Sequence, residues 1–404
     1  MFGFAEALAS EGDATQSASI LEILSKDKRP EVRAEAWFRL GNLRFNAGDP
    51  AGAAAAYRKI LAEQPSANAV RLQLAYVLAR MGDEDGARSQ FRRASAAGLP
   101  PEVARAVDRF RPALQSSRRL GFGLEVSVAP DSNINRANAS STANIGSTVL
   151  DLSPDAQAQS GVGFSTALQG FWRPRLNERA NLLFTANAKA DLYGKSRFNE
   201  VIMTAGAGPE LLLGRSRVRP AGLVGARWFG GKLYSESYGV TLNWLRQLDR
   251  TSEVQLDLTT IQSNYRINPA ITGFATSGAL RYERALSPRL YGRILARVDR
   301  QDARDPAYAS WSMGGELLLS RDLGKFSIYG RAGYYRTRGD AAFSLPPQRR
   351  RDTLTDLEAG VILKTLAIGG FAPVIRVHRT ANRSPVFFYD FHRTRLEFGA
   401  THDF

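Results

Sequence analysis

The sequence predicts an α+β multidomain protein, with a short all-α repeat domain over residues 1–116 and a 14-stranded antiparallel transmembrane β-barrel over residues 120–404. Three observations carry this. Up to about Leu114 the apolar residues recur at helical spacing and repeat at an offset of 34 residues. Past Arg119 their period drops to two, in about fourteen segments. The connections between those segments alternate between tight and long, the habit of barrels with short turns on one side of a membrane and long loops on the other.

In the first part, Leu40, Gly41, Gly48, Asp49, Ala53 and Tyr57 recur as Leu74, Ala75, Gly82, Asp83, Ala87 and Phe91. With Trp37 ahead and Pro65 closing the first unit, this resembles the tetratricopeptide repeat. Small residues at 41, 53, 75 and 87 let paired helices approach, and Tyr57 and Phe91 fill the space between them. Two repeats fall short of the three or so usually needed for stability, so flanking helices at about 16–28 and 101–114 are expected as caps. The resemblance places a concave face at Glu35, Phe38, Asn42, Phe45 and Asn46, then at Ala69, Leu72, Tyr76, Ala79 and Arg80. Such a face usually holds a polypeptide segment, and Glu35, Asn42, Asn46, Tyr76 and Arg80 are its polar candidates. Several of these residues also fit a plain core.

In the second part, Val240, Leu242 and Trp244 alternate with Gly239, Thr241 and Asn243, the mark of a strand with one apolar face. Such segments begin near 121, 161, 180, 200, 217, 237, 252, 274, 289, 309, 325, 353, 370 and 392. Leu213 to Arg217, Leu248 to Ser252, Leu286 to Arg289, Arg321 to Lys325 and Leu366 to Gly370 read as tight turns. Asp131 to Gly161, Gly230 to Ser237, Asn264 to Gly273, Gln301 to Ala309 and Thr337 to Asp352 read as long loops. A soluble β-sandwich explains the alternation of residues but not that of the loops. Trp172, Trp228, Tyr234, Tyr238, Trp244, Tyr282 and Trp311 fall near strand ends, where a membrane interface favours them. Phe404, with Leu396, Phe398 and Ala400, resembles the terminal signal read by the outer-membrane assembly machinery.

Strand phase assigns Lys189, Arg281, Arg293, Arg297, Arg331, Arg376 and Arg395 to the polar inner face, with Asp191, Asp257, Glu283, Asp299, Glu316, Asp356, Glu358 and Glu397. Cross-strand ion pairing is the plain reading of that wall. The alternative makes the arginines a track for an acidic or unfolded polypeptide.

Composition narrows the function. The chain has 404 residues, 44% hydrophobic, and a net charge of +15. Its cations are scattered, with Arg349-Arg350-Arg351 the one triple, so no basic patch speaks for nucleic acid. Anionic lipopolysaccharide or an acidic passenger is the expected counterpart. No apolar run reaches the eighteen or so residues of a membrane helix. Cysteine is absent. The histidines number three, His378, His392 and His402, all in the last hairpin. No catalytic elbow, metal-binding pair or phosphate-cradling loop accompanies them, so neither enzyme activity nor a cofactor or metal is expected. Met1 to Leu8 shows no full signal peptide, although Ala7-Leu8-Ala9 resembles the end of one.

Val128-Ala129-Pro130-Asp131-Ser132-Asn133-Ile134-Asn135-Arg136, and the closing run Tyr389-Asp390-Phe391-His392-Arg393-Thr394-Arg395-Leu396-Glu397-Phe398-Gly399, resemble the surface lipoprotein assembly modifiers. That family joins tetratricopeptide repeats to a fourteen-stranded outer-membrane barrel. The resemblance implies export of surface lipoproteins, or of soluble haem- or metal-scavenging proteins, by a periplasmic groove that hands the passenger to the barrel. An exopolysaccharide channel, a diffusion porin constricted by the segment from Asn133 to Ser160, and a static receptor are the competing expectations.

Overall fold

In the computed structural model the described residues are 1–96, 119–145, 148–366 and 371–401. Six helices come first: α1 (Phe2–Ser10), α2 (Ala14–Leu24), α3 (Pro30–Asn46), α4 (Pro50–Glu63), α5 (Asn68–Met81) and α6 (Glu84–Ser95). The 34-residue repeat is the pair α3–α4 followed by α5–α6. Gly48 and Gly82 turn the chain in the left-handed region, at φ 81° and 91°, where a side chain would be strained. Asp49 and Asp83 then cap α4 and α6, each accepting at 2.8 Å the N–H of a glycine three residues on.

Gly41 faces the Tyr57 ring so closely that a Cβ there would lie 2.6 Å from it. Tyr57, Leu74, Leu78 and Phe91 are almost wholly buried in one core, worth roughly 1.5–3 kcal/mol for each large side chain. The expected N-terminal cap is α2, and α1 pairs with it. Ala5, Leu21 and Leu40 form a second cluster that joins this pair to α3. The cap expected at 101–114 lies outside the described residues.

Fourteen strands close the barrel: β1 (Leu120–Asp131), β4 (Gly161–Trp172), β5 (Ala180–Tyr193), β6 (Glu200–Leu213), β7 (Ser216–Phe229), β8 (Lys232–Gln247), β9 (Ser252–Tyr265), β10 (Gly273–Ala285), β11 (Leu290–Gln301), β12 (Ser310–Asp322), β13 (Phe326–Ala342), β14 (Arg349–Leu363), β15 (Ala372–Arg383) and β16 (Phe391–Thr401). Every neighbour is antiparallel, and β1 meets β16. Two short strands, β2 (Thr142–Ile145) and β3 (Thr148–Asp151), pair antiparallel in the segment after β1.

Among the described residues two connections differ from expectation, and the turn expected from Leu366 to Gly370 lies largely outside them. Gly230 to Ser237 is not a long loop: β8 begins at Lys232, and Gly230-Gly231, both at positive φ, make a two-residue turn. The polar run Ser235-Glu236-Ser237 that suggested a loop is paired strand. Thr337 to Asp352 likewise shrinks, because β13 continues to Ala342 and β14 starts at Arg349.

The outer wall carries Leu168, Val224, Val240, Leu258, Leu280, Ile294, Met313, Leu317, Ile328, Leu357 and Phe398, each more than a third exposed. A continuous apolar belt of this kind needs hydrocarbon around it. Trp172, Tyr238 and Trp311 are half-exposed with it, whereas Tyr234 packs edge-on against Tyr265 at the long-loop end. At that same end Phe343 packs with Tyr308, Phe388 and Tyr389.

Candidate functional site at the barrel mouth

The tight turns after β6, β8, β10 and β12 ring one end of the barrel, and α4 to α6 sit against it. Three groups of charged side chains fix them there. On one side Glu84, the first residue of α6, is bound by Arg173, which follows β4, and by Arg217 of β7, with Arg219 at 3.4 Å. The same arginines hold Glu210 of β6, Arg173 at 3.3 Å. Burial raises the Glu84 carboxyl, but the guanidiniums of Arg217, Arg173 and Arg219 outweigh it and hold the group at about 2.

On a second side, Glu253 of β9 and Glu283 of β10 lie directly opposite each other in the ladder. Like charges so placed repel. Arg92 of α6 reaches between them, at 2.6 Å from Glu253 and 3.0 Å from Glu283. Arg88 adds a contact to Glu253 at 3.4 Å. Burial acts against the Arg88 guanidinium, yet Asp85, Glu253 and Glu84 together push it well above the usual arginine range.

On the third side, Asp322 at the end of β12 meets Arg71 of α5 at 3.7 Å and Arg93 of α6 at 3.8 Å. Lys364, after β14, approaches it at 2.5 Å. Arg71 is only 1% exposed and donates to Gln90 and to the Pro65 carbonyl, at 2.8 and 2.7 Å. Burial pushes its guanidinium down to about 10. Gly324, at φ 83° in the turn after β12, passes so close to the Ala62 carbonyl and Pro65 that no side chain fits. The helical repeat is thus tied to the rim at three places around its circumference.

The expected concave positions lie on α3 and α5. Glu35 pairs with Arg39 at 2.6 Å, and Asn42 accepts the Tyr57 hydroxyl at 2.7 Å. Tyr76 packs edge-on against Phe45, ring centres 5.5 Å apart. Asn46 and Arg80 are exposed, and Ala79 is core. The arrangement therefore joins α3 to α5 through Phe45 and Tyr76 and leaves Asn46 and Arg80 facing solvent.

Along the strands, Arg281, Glu283, Arg293, Arg297, Arg331 and Arg376 occupy the phase opposite the apolar belt. Arg281 donates to Gln255 at 3.4 Å, Arg293 stands across from Glu283, and Arg297 pairs with Asp299 at 2.9 Å. Arg331 gathers Asp356, Glu358 and Glu316 at 2.7, 2.9 and 3.2 Å. Tyr329 and Tyr335 donate to the two glutamates, and His378 shares Asp356. Arg376 pairs with Glu397 at 2.7 Å and with Glu125. Cross-strand ion pairs thus engage Arg331 and Arg376, whereas Arg297 pairs within its own strand.

The Pro-Asp-Ser-Asn motif after β1 is a tied turn. Asp131 accepts the Asn133 N–H at 3.0 Å and binds Arg393, with 2.9 Å the second contact. Asn133 donates to the carbonyls of Ala137 and His392. Both sequence motifs thus meet at one place, where β1 and β16 close the barrel. Phe404 and His402 lie outside the described residues. Among the described residues no cluster of three metal-ligating side chains occurs.

Comparison with known proteins agrees with this architecture. A family model described as surface lipoprotein assembly modifier matches residues 121–404, and a tetratricopeptide-repeat model matches 44–109. Surface lipoprotein assembly modifier 1 of Neisseria meningitidis serogroup B is 37% identical over 81 residues, which is 20% of this chain and 17% of that protein. Surface lipoprotein assembly modifier 2 of Haemophilus influenzae is 23% identical over 234 residues, 56% of this chain and 48% of that protein. The chain thus spans about half the length, or less, of these relatives. Among solved structures, CdiB from Escherichia coli overlays with a TM-score of 0.40 at 13% identity, covering 69% of this chain and 62% of that one. A likeness of that size carries no functional information. With a closed fourteen-stranded barrel, an apolar outer belt, a repeat domain at its mouth and a family match over residues 121–404, the chain is an outer-membrane barrel protein that belongs to the surface lipoprotein assembly modifier family.

Proposed function

We propose that this protein is an outer-membrane translocator that moves surface lipoproteins, or soluble haem- or metal-scavenging proteins, to the cell surface. The observation that carries the reading is the three-sided ion-pair docking of the repeat domain on the short-turn mouth. It sets a fold that commonly grips peptides at one entrance of the lumen. In this reading the short turns and the helices lie in the periplasm and the long loops lie outside.

The face of α3 and α5 that bears Glu35, Asn42, Asn46, Tyr76 and Arg80 receives the passenger. Arg281, Arg293, Arg297, Arg331 and Arg376 offer exchangeable partners for its carboxylates along the wall. The closing run of the sequence, with Phe404 as its terminal aromatic, is read by the outer-membrane assembly machinery. Helices tied across the mouth count against a passive diffusion porin. No catalytic step is required.

Protease shaving of intact cells that co-express the chain with candidate passengers tests this. Passenger exposure should depend on both the barrel and the repeat domain. Unchanged exposure, together with solute permeability that rises with the barrel, would sink the reading.

A further inference from the structure

The outer wall over β12 to β15 carries a head-and-tail pair of features that the translocator reading does not use. At the long-loop end, Arg338, Arg349 and Arg351 line a pocket of about 280 Å³. All three are exposed, and Arg338 lies directly opposite Arg351 in the β13–β14 ladder. Two guanidiniums so placed repel each other. Among the described residues, neither has a carboxylate within ion-pair distance. The nearby acids are already engaged, Asp340 by Arg300 at 2.7 Å and Asp352 by Arg350 at 2.6 Å. The site is therefore built for an anion that comes from elsewhere.

The pocket faces outward. Arg338 shares the strand phase of Ile328 and Tyr334, which are 42% and 45% exposed on the apolar belt. Trp311 is its ladder partner on β12, and half-exposed Trp and Tyr of this kind mark the headgroup layer. Below the pocket, a groove of about 530 Å³ runs over the same strands. Gly330, Ala332 and Ala359 form its floor, and Leu317, Leu357 and Val377 flank them. Gly330 stands opposite Ala359 and Ala332 opposite Leu357, so the depression crosses two strands. From Arg338 to Ala332 is about 20 Å along the strand. That matches roughly one leaflet with its headgroup layer.

We propose that this face is a binding site for a phosphorylated glycolipid of the lipid A type. Its phosphates enter the Arg338, Arg349 and Arg351 pocket, and an acyl chain lies in the groove. Three guanidiniums, with Arg379 at the groove, call for more charge than the single phosphate of an ordinary phospholipid. The long-loop end supplies the leaflet, so the proposal rests on the orientation given above.

The test is native mass spectrometry of the purified full-length chain in detergent, with lipid A and, in parallel, phosphatidylglycerol. Wild-type protein should hold one lipid A. The double substitution Arg338→Gln and Arg351→Gln should weaken it at least roughly tenfold, and Ala359→Trp, which fills the groove, should weaken it as well. Heat-modifiable migration on gels checks that each variant is a folded barrel. Lipid A held equally by the folded double variant would overturn the site. Phosphatidylglycerol bound as tightly as lipid A, and lost with the same substitutions, would overturn the glycolipid assignment. Orientation is read separately. The chain has no cysteine, so Ser344→Cys in the β13–β14 loop should react with an impermeant maleimide on intact cells. Failure there removes the orientation and leaves the binding measured in detergent as it stands.

Discussion

Two ladders of the barrel place like charges face to face, and they resolve the conflict differently. At the short-turn mouth Glu253 opposes Glu283, and Arg92 of the helical domain enters between them. At the long-loop rim Arg338 opposes Arg351, and among the described residues neither has a carboxylate within ion-pair distance. The side chains of the first pair are 6% and 13% exposed, so water screens them poorly and the protein supplies the counter-charge. The second stands at the surface, where a ligand can. Charge conflict in a sheet thus marks a docking place, and its burial tells whether the partner is internal or external.

The largest effect that separates the two ends is expected from Glu84→Lys, which sets a fourth cation among Arg173, Arg217 and Arg219. Breaking a buried network of this kind costs roughly 3–5 kcal/mol. The helices should leave the mouth, read as faster amide exchange in α5 and α6 and as raised single-channel conductance in planar bilayers. An unaltered conductance would show that the docking contributes little.

Arg92→Ala should come next, at about 3 kcal/mol, because it leaves buried Glu253 and largely covered Glu283 opposed without their shared cation. Adding Glu253→Gln should recover a large part of the lost exchange protection. No recovery would mean that the two glutamates do not repel in the folded protein.

Gly41→Val probes cohesion inside the helical domain instead of its docking. The added side chain meets the Tyr57 ring, at a cost of about 1–3 kcal/mol. Limited proteolysis should open the helices while the barrel keeps its heat-modifiable migration.

The smallest effect concerns pH. Because the folded Glu84 carboxyl is held at about 2 against an ordinary 4.5, its contribution is complete above pH 4.5 and fades as pH falls through about 2. Docking followed by energy transfer between dyes on the two domains should persist at pH 5 and weaken only in strong acid. Loss of docking already at pH 5 would show that Glu84 is not held in this way.

How much of this could be read in advance depended on periodicity. Strand starts were legible to within a few residues almost everywhere, because the alternation of a half-exposed strand is a strong signal. It failed at β8 and β14, where Ser235-Glu236-Ser237 and Arg349-Arg350-Arg351 look like loop although they are paired strand. The Gly230-Gly231 pair was the available signal for a tight turn there. The 34-residue repeat was legible because its glycine, cap and aromatic positions all have local causes. The docking residues were not. Glu84, Arg71, Arg88 and Arg92 carry no local pattern that marks a partner, and their partners Arg173, Arg217, Glu253, Glu283 and Asp322 sit far away in sequence. A cue did exist: acids recur at strand ends beside the tight turns, and α6 offers Arg88, Arg92 and Arg93 on neighbouring turns.

The three ties at the mouth reach Arg173 after β4 with β7, β9 with β10, and β12, well apart around the rim. A hoop braced at three points by a crosspiece resists being squeezed out of round, so the helices act as a spreader for the barrel as well as a cover. The bond through the backbone then becomes secondary. A protease site engineered within residues 97–118 should yield, after cutting, two fragments that still migrate as one particle, held by side chains that never meet in the sequence.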